Sequence, residues 1–389
     1  MHRRQLNWIP LILIAAVLFS ACGATQAEDV APAPQEPAEE PIPADEETST
    51  EAALPEEPTS ILTVDALGRE LQFDTVPEHI VITGKANWLI GHTLYLFPEA
   101  DGRVLAWEER GGNTSDFLAA ISPSFADVIT LAQGASAEQI APLQPDLVIM
   151  KSYLRENLGS PMEEIGLDVF YANLETPDQF YAEIEQIGAM FANPGHAAEI
   201  INFYRERVEM IETRVSDLDE TERPSVLVIQ RTATGEDVAF TVPPMTWMQT
   251  LEVTTAGGAP VWEEVTGNGW TTITFEQIAA WDPDVVLVIA FRGDPDALVA
   301  ELESSPEWQA LRATQEGQVY AFPADFRGWD LPDPRWILGT TWVAQTLHPD
   351  LFSDIDMMNE VYTFYTEMYG LTEDQVETII VPMLMGDIP

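Results

Sequence analysis

The sequence predicts an α/β protein built as two lobes with mostly parallel sheets, joined by a long rigid helix. Three observations predict it. Short apolar strand candidates alternate with helical patterns, the order that produces parallel sheets. A frame of residues occurs twice: Glu138-Gln139-Ile140-Ala141 stands three residues before Pro145-Asp146, and Glu276-Gln277-Ile278-Ala279 stands three before Pro283-Asp284. Each copy reads as a short helix, a Pro-Asp break and a buried strand. Between the copies, 177–216 carries one long helical pattern, interrupted by Pro194, which splits or kinks it.

The elements follow in order. In the first lobe, 61–176, strands are expected at His79–Thr83, Val104–Trp107, Asp146–Met150 and Asp168–Tyr171, with helices near 87–97, 114–121 and 153–165. The connecting helix is 177–216. The second lobe, 217–389, has strands at Val226–Gln230, Asp284–Ile289 and Gln318–Phe322, alternating with helices.

The chain has 389 residues with 17 Lys+Arg and 65 Asp+Glu, a net charge of -48. Such acidity excludes nucleic acid as a general partner, because phosphate backbones demand basic patches. Residues 1–21 read as a signal peptide: a basic start, a short apolar run, then Ser20-Ala21-Cys22-Gly23. Cys22, the one cysteine of the chain, sits where a lipobox would place a lipidated mature N-terminus. Residues 22–60 are acidic and Pro-rich without Lys or Arg, and read as a disordered tether.

The repeat and the long connector resemble the class III, helical-backbone substrate-binding proteins of ABC importers for iron chelates and cobalamin. Val64–Glu70, Val76–Val81, Asp333-Pro334-Arg335-Trp336-Ile337-Leu338-Gly339 and Leu347-His348-Pro349-Asp350 fit the same family. The resemblance implies two lobes with a ligand cleft between them, an ABC permease as partner, and no cofactor. It also implies that one glutamate per lobe, Glu138 and Glu276, docks the permease. Phe326–Asp330 resembles a branch holding both iron-chelate and molybdate or tungstate binders, so the ligand stays open among siderophore, cobalamin, haem and oxyanion.

Ligands of open α/β sheets sit beyond the carboxyl ends of strands. Five cations fall there: Lys85, Lys151, Arg231, Arg292 and Arg327. They point to an anionic ligand, since clustered cations repel unless acids or an anion compensate. The cations suit a chelate and an oxyanion alike; Trp270 and Trp329 favour, among the ligands the resemblance implies, an iron complex of siderophore type. Trp107, Tyr153, Trp270 and Trp329 are the candidate aromatic walls. For Trp270 the family resemblance adds a ligand-facing position six residues before Glu276.

Other classes are weaker. The histidines, His2, His79, His92, His196 and His348, show no metal-ligand spacing, so no metal site is expected. No hydrolase motif or P-loop occurs, which argues against an enzyme. A cleft enzyme working through Asp330 or Glu108 is the alternative of a different class.

Overall fold

The structure, a computed structural model, describes residues 60–110, 115–234, 237–290 and 293–389. The signal, Cys22 and the tether, and also Arg292, lie outside the described residues.

The first lobe opens with an antiparallel hairpin, β1 (Ile61–Val64) and β2 (Glu70–Phe73). A five-stranded parallel sheet follows: β3 (Ile80–Ile82), β4 (Val104–Glu108), β5 (Ile129–Leu131), β6 (Leu147–Lys151) and β7 (Val169–Ala172), in the order β5-β4-β3-β6-β7. Its apolar runs are continuous because both faces are covered. Ile80, Ile82, Leu147 and Ile149 pack into the main core, while Val81, Val148, Met150 and Tyr171 pack into a second cluster on the opposite face. Helix α1 (Asn87–Leu94) follows β3.

The second lobe is mixed. Strands β8 (Ser225–Thr234), β12 (Val285–Ile289) and β13 (Val319–Ala321) run parallel, as the sequence predicts. Three strands the sequence did not suggest complete the sheet. β9 (Asp237–Val242) and β11 (Thr271–Ile273) pair antiparallel beyond β8, and β10 (Ala259–Pro260) pairs with its first residues.

The stretch 177–216 is two helices rather than one. α2 (Pro177–Met190) stays with the first lobe, where the Gln186 side chain accepts from Val64 N at 2.7 Å and Thr63 Oγ1 donates to the Gln186 carbonyl at 2.8 Å. The chain then turns through Ala192, at φ 55°, and α3 (Pro194–Val215) begins with Pro194 at its first position. Proline is well placed there, because that N–H has no partner within the helix. Pro194 therefore starts the connector instead of kinking it. With 22 residues α3 is about 33 Å long.

The connector is fastened at both ends. His196 Nε2 meets the Leu96 carbonyl at 2.9 Å, and Asn193 donates to Glu99 at 2.6 Å, in the first lobe. Tyr204 donates to the Pro334 carbonyl at 2.7 Å, Arg207 pairs with Glu360 at 2.9 Å and Arg214 with Asp354 at 2.6 Å, in the second.

The two copies of the repeat fold alike. Gln139 Oε1 accepts from Ser136 N at 3.0 Å, and Gln277 Oε1 accepts from Thr274 N at 2.9 Å, so each Gln closes a capping box. Each helical segment ends on a left-handed residue, Gln144 at φ 53° and Asp282 at φ 43°. Asp146 then accepts from His79 N at 2.9 Å and Asp284 from Ser225 N at 2.7 Å, clamping the start of the neighbouring strand in each lobe.

Candidate functional site

A small cavity, about 130 Å³, lies between the lobes. Glu175, just past β7, supplies the first-lobe side. Gln230, Trp247, Gln249, Trp270 and Asp330 are among the second-lobe residues that line it. Trp247 and Trp270 meet edge to face, with centroids 6.2 Å apart at 84°. Trp270, expected at the cleft, is there; Trp247 was missed because it follows β9, a strand without a clear signal in the sequence.

Tyr153 stands beside Glu175. It is 53% exposed, and its hydroxyl donates to the Lys85 carbonyl at 3.2 Å. Burial of the hydroxyl raises its pKa; the Glu175 charge adds to that, and nearby Arg110 opposes it. Arg110, half-buried and paired with Glu108, thus faces the Tyr153 side of the cleft, where the exposed Lys85 contributes its backbone carbonyl. Arg327 reaches across from the second lobe, its guanidinium 5.4 Å from the Trp88 ring centroid, within cation–π range. Burial lowers its pKa, with Asp333 opposing, yet a guanidinium keeps its charge.

Other expected residues stand elsewhere. Lys151 is not past the end of its strand but is the last residue of β6, paired with Ala172 and wholly buried. Its ammonium bonds the Asn173 carbonyl and Glu175 Oε1, the latter at 2.6 Å, so it pins Glu175 in place. Trp107 lies within β4, opposite Ile82 and Thr130, and is 2% exposed; its ring meets Phe125 at 5.7 Å in the core. Trp329 is fully buried and donates to Asp325 at 3.0 Å. Arg231 pairs with Glu301 at 2.6 Å and lines two grooves rather than this cavity, one of them adjoining it through Gln230 and Ile289.

Glu138 and Glu276 are exposed, each the second residue of its short helix. Neither side chain takes part in the cap. Glu108 is wholly buried and spent on structure, accepting from Thr83 at 2.6 Å, Gly84 N at 2.7 Å and Gly134 N at 2.9 Å, and pairing with Arg110.

Behind the cavity runs a buried network that the sequence signalled only as the motif Asp333-Pro334-Arg335. Arg335 reaches Asp325 at 2.7 Å, Asp333 at 2.6 Å and the Tyr365 hydroxyl at 2.8 Å. Asp333 also meets the His92 imidazole from the first lobe. Burial works against ionisation of Asp333, but Arg335 and the His92 contact outweigh it and hold the carboxyl far below its usual range. Burial lowers the His92 pKa, with the Asp333 carboxylate opposing it.

A periplasmic binding protein family model matches residues 126–326, just over half of the chain. The chain belongs to that family. A curated relative, the molybdate-binding protein MolA of Haemophilus influenzae, is 22% identical over 333 residues, covering 78% of this chain and 90% of that protein. Among solved structures, a periplasmic solute-binding protein of Veillonella parvula shares the fold with a TM-score of 0.67 at 20% identity, covering 83% of this chain and 97% of that one. Helicobacter pylori CeuE with Ni(II) bound gives 0.63 at 16% identity, covering 82% and 99%. The chain is therefore a substrate-binding protein of an ABC importer, an extracytoplasmic binding protein and not an enzyme.

Proposed function

We propose that this periplasmic binding protein captures an anionic iron complex of siderophore type in the interlobe cleft. One observation carries the reading: Arg110 beside Tyr153 and Arg327 over Trp88 stand at the cleft in a chain of net charge -48, with Lys85 in the adjoining turn. Cations held together against that background favour an anion, and charge-assisted contacts to catecholate or carboxylate oxygens contribute about 1.5–3 kcal/mol each. Aromatic walls suit an organic chelate better than a compact oxyanion.

Delivery to the permease runs through Glu138 and Glu276, whose exposed carboxylates stand at equivalent positions of the two lobes. Lipidation at Cys22 would tie the protein to the outer face of the membrane, with 22–60 as tether.

Calorimetric titration of the purified protein with a ferric tris-catecholate and, separately, with molybdate tests the ligand. Stoichiometric binding of the chelate, weakened at least several-fold by Arg327→Ala together with Lys85→Ala, is expected. Binding of molybdate in place of the chelate would transfer the cleft to an oxyanion.

A further inference from the structure

We infer that the inner cavity of the cleft reads a hydrogen-bond donor, and that the ligand carries an ammonium-bearing arm which enters it alongside Trp247 and Trp270. This deepens the chelate reading and rests on the cleft being the ligand's seat. The anionic, metal-binding part of the ligand stays with the cations around Tyr153.

The charged side chains that line the cavity are of one sign. Among the described residues its only charged lining groups are Glu175 and Asp330. Glu175 is already answered by the Lys151 ammonium at 2.6 Å. Asp330 is not: it is 3% exposed, and among the described residues the one side chain that donates to it is Gln249, through Nε2 at 3.1 Å. Gln249 is itself 3% exposed, and its Oε1 has no partner. One helical turn further on, Glu252 is 1% exposed, with neither carboxyl oxygen partnered.

Buried acceptors are normally satisfied, so a wall that holds Asp330 and the unpartnered Gln249 Oε1 lacks donors; Glu252 lies behind it and does not line the cavity. An ammonium group supplies three, together with the charge that Asp330 lacks. The aromatic pair adds to this, since indole faces attract cations. An oxyanion would bring further acceptors to a wall that already has too many. Gly328 has a part in shaping it, because a Cβ there would collide with the Asp330 carboxylate.

The test uses the full protein and the smallest probe of that chemistry, n-butylammonium, with n-butyrate as the isosteric anion at constant ionic strength. Tryptophan fluorescence and melting temperature are followed. Saturable quenching with a rise in melting temperature is expected for butylammonium and not for butyrate. Asp330→Asn should weaken butylammonium binding about tenfold, the loss of one charge-assisted contact. Trp270→Ala, at a half-buried position, should weaken it as well while near-ultraviolet dichroism confirms the fold. No saturable response, equal binding of butyrate, or undiminished affinity in Asp330→Asn would each overturn the inference. The ferric titration is read separately: a chelate that binds while butylammonium does not removes the donor-reading cavity alone. Butylammonium binding without any chelate binding removes the iron reading and leaves the cavity.

Discussion

Two clusters of buried charge stand beside the cleft, and residues 325–335 contribute to both. In one, Asp325 and Asp333 flank Arg335, with His92, Tyr365 and Trp329 supplying further contacts. In the other, Asp330 and Glu252 are both acids, and among the described residues Gln249 is the single side chain that donates to either. Burial is nearly complete in each. What separates them is balance. A buried ion set with matched donors fixes geometry, whereas acids without a counter-charge leave a deficit that a proton or a ligand must fill.

The comparison can be broken most severely at Arg335. Arg335→Met should cost about 3–5 kcal/mol in urea unfolding, because two buried carboxylates lose their cation. It should also remove part of the acid sensitivity of the protein. Asp333 has a depressed pKa, so its stabilising share is complete above its unfolded value near 3.9 and is lost as pH falls below it.

Asp330 should behave oppositely. Burial lifts its pKa to about 6, above the unfolded value, so the folded state favours the proton and stability declines as pH rises from about 4 through 6. Asp330→Asn should match the parent near pH 4 and exceed it by about 2–3 kcal/mol above pH 6, since each tenfold change in proton affinity on folding is worth about 1.4 kcal/mol. A melting temperature unchanged at pH 8 would contradict this deficit.

The smallest stability effect belongs to the exposed repeat glutamates. Glu138→Arg with Glu276→Arg should cost about 0.3–1 kcal/mol per helix through lost dipole interaction, yet abolish uptake in a transport assay with ligand affinity intact. Uptake at the parental rate, at equal protein levels, would remove both from the permease contact.

The sequence held much of the fold and less of the site. Strands β3, β4, β6, β7, β8, β12 and β13 were legible because sheets covered on both faces need continuous apolar runs. β9 and β11 were not, since Asp237–Val242 holds only three consecutive apolar residues, Val238-Ala239-Phe240, and Thr271–Ile273 is mostly threonine. The loop Gly267-Asn268-Gly269 and the spacing to Glu276 pointed to Trp270, whereas nothing comparable marks Trp247. Reading the cleft from strand ends placed Trp107 and Lys151 at the rim, although the sheet still pairs both residues and so buries them. In the repeat the sequence showed identity but not cause. In the fold Gln139 and Gln277 close caps and Asp146 and Asp284 clamp strands, which leaves the glutamates outside both the caps and the clamps.

The connector bears on how cargo leaves. Helix α3 is continuous over about 33 Å and is bonded to both lobes, so prising them apart means breaking backbone ladder bonds or ion pairs together. Thermal energy, about 0.6 kcal/mol at room temperature, is small beside several such bonds, each near 1 kcal/mol. Emptying the cleft by parting the lobes is then work done on the protein from outside.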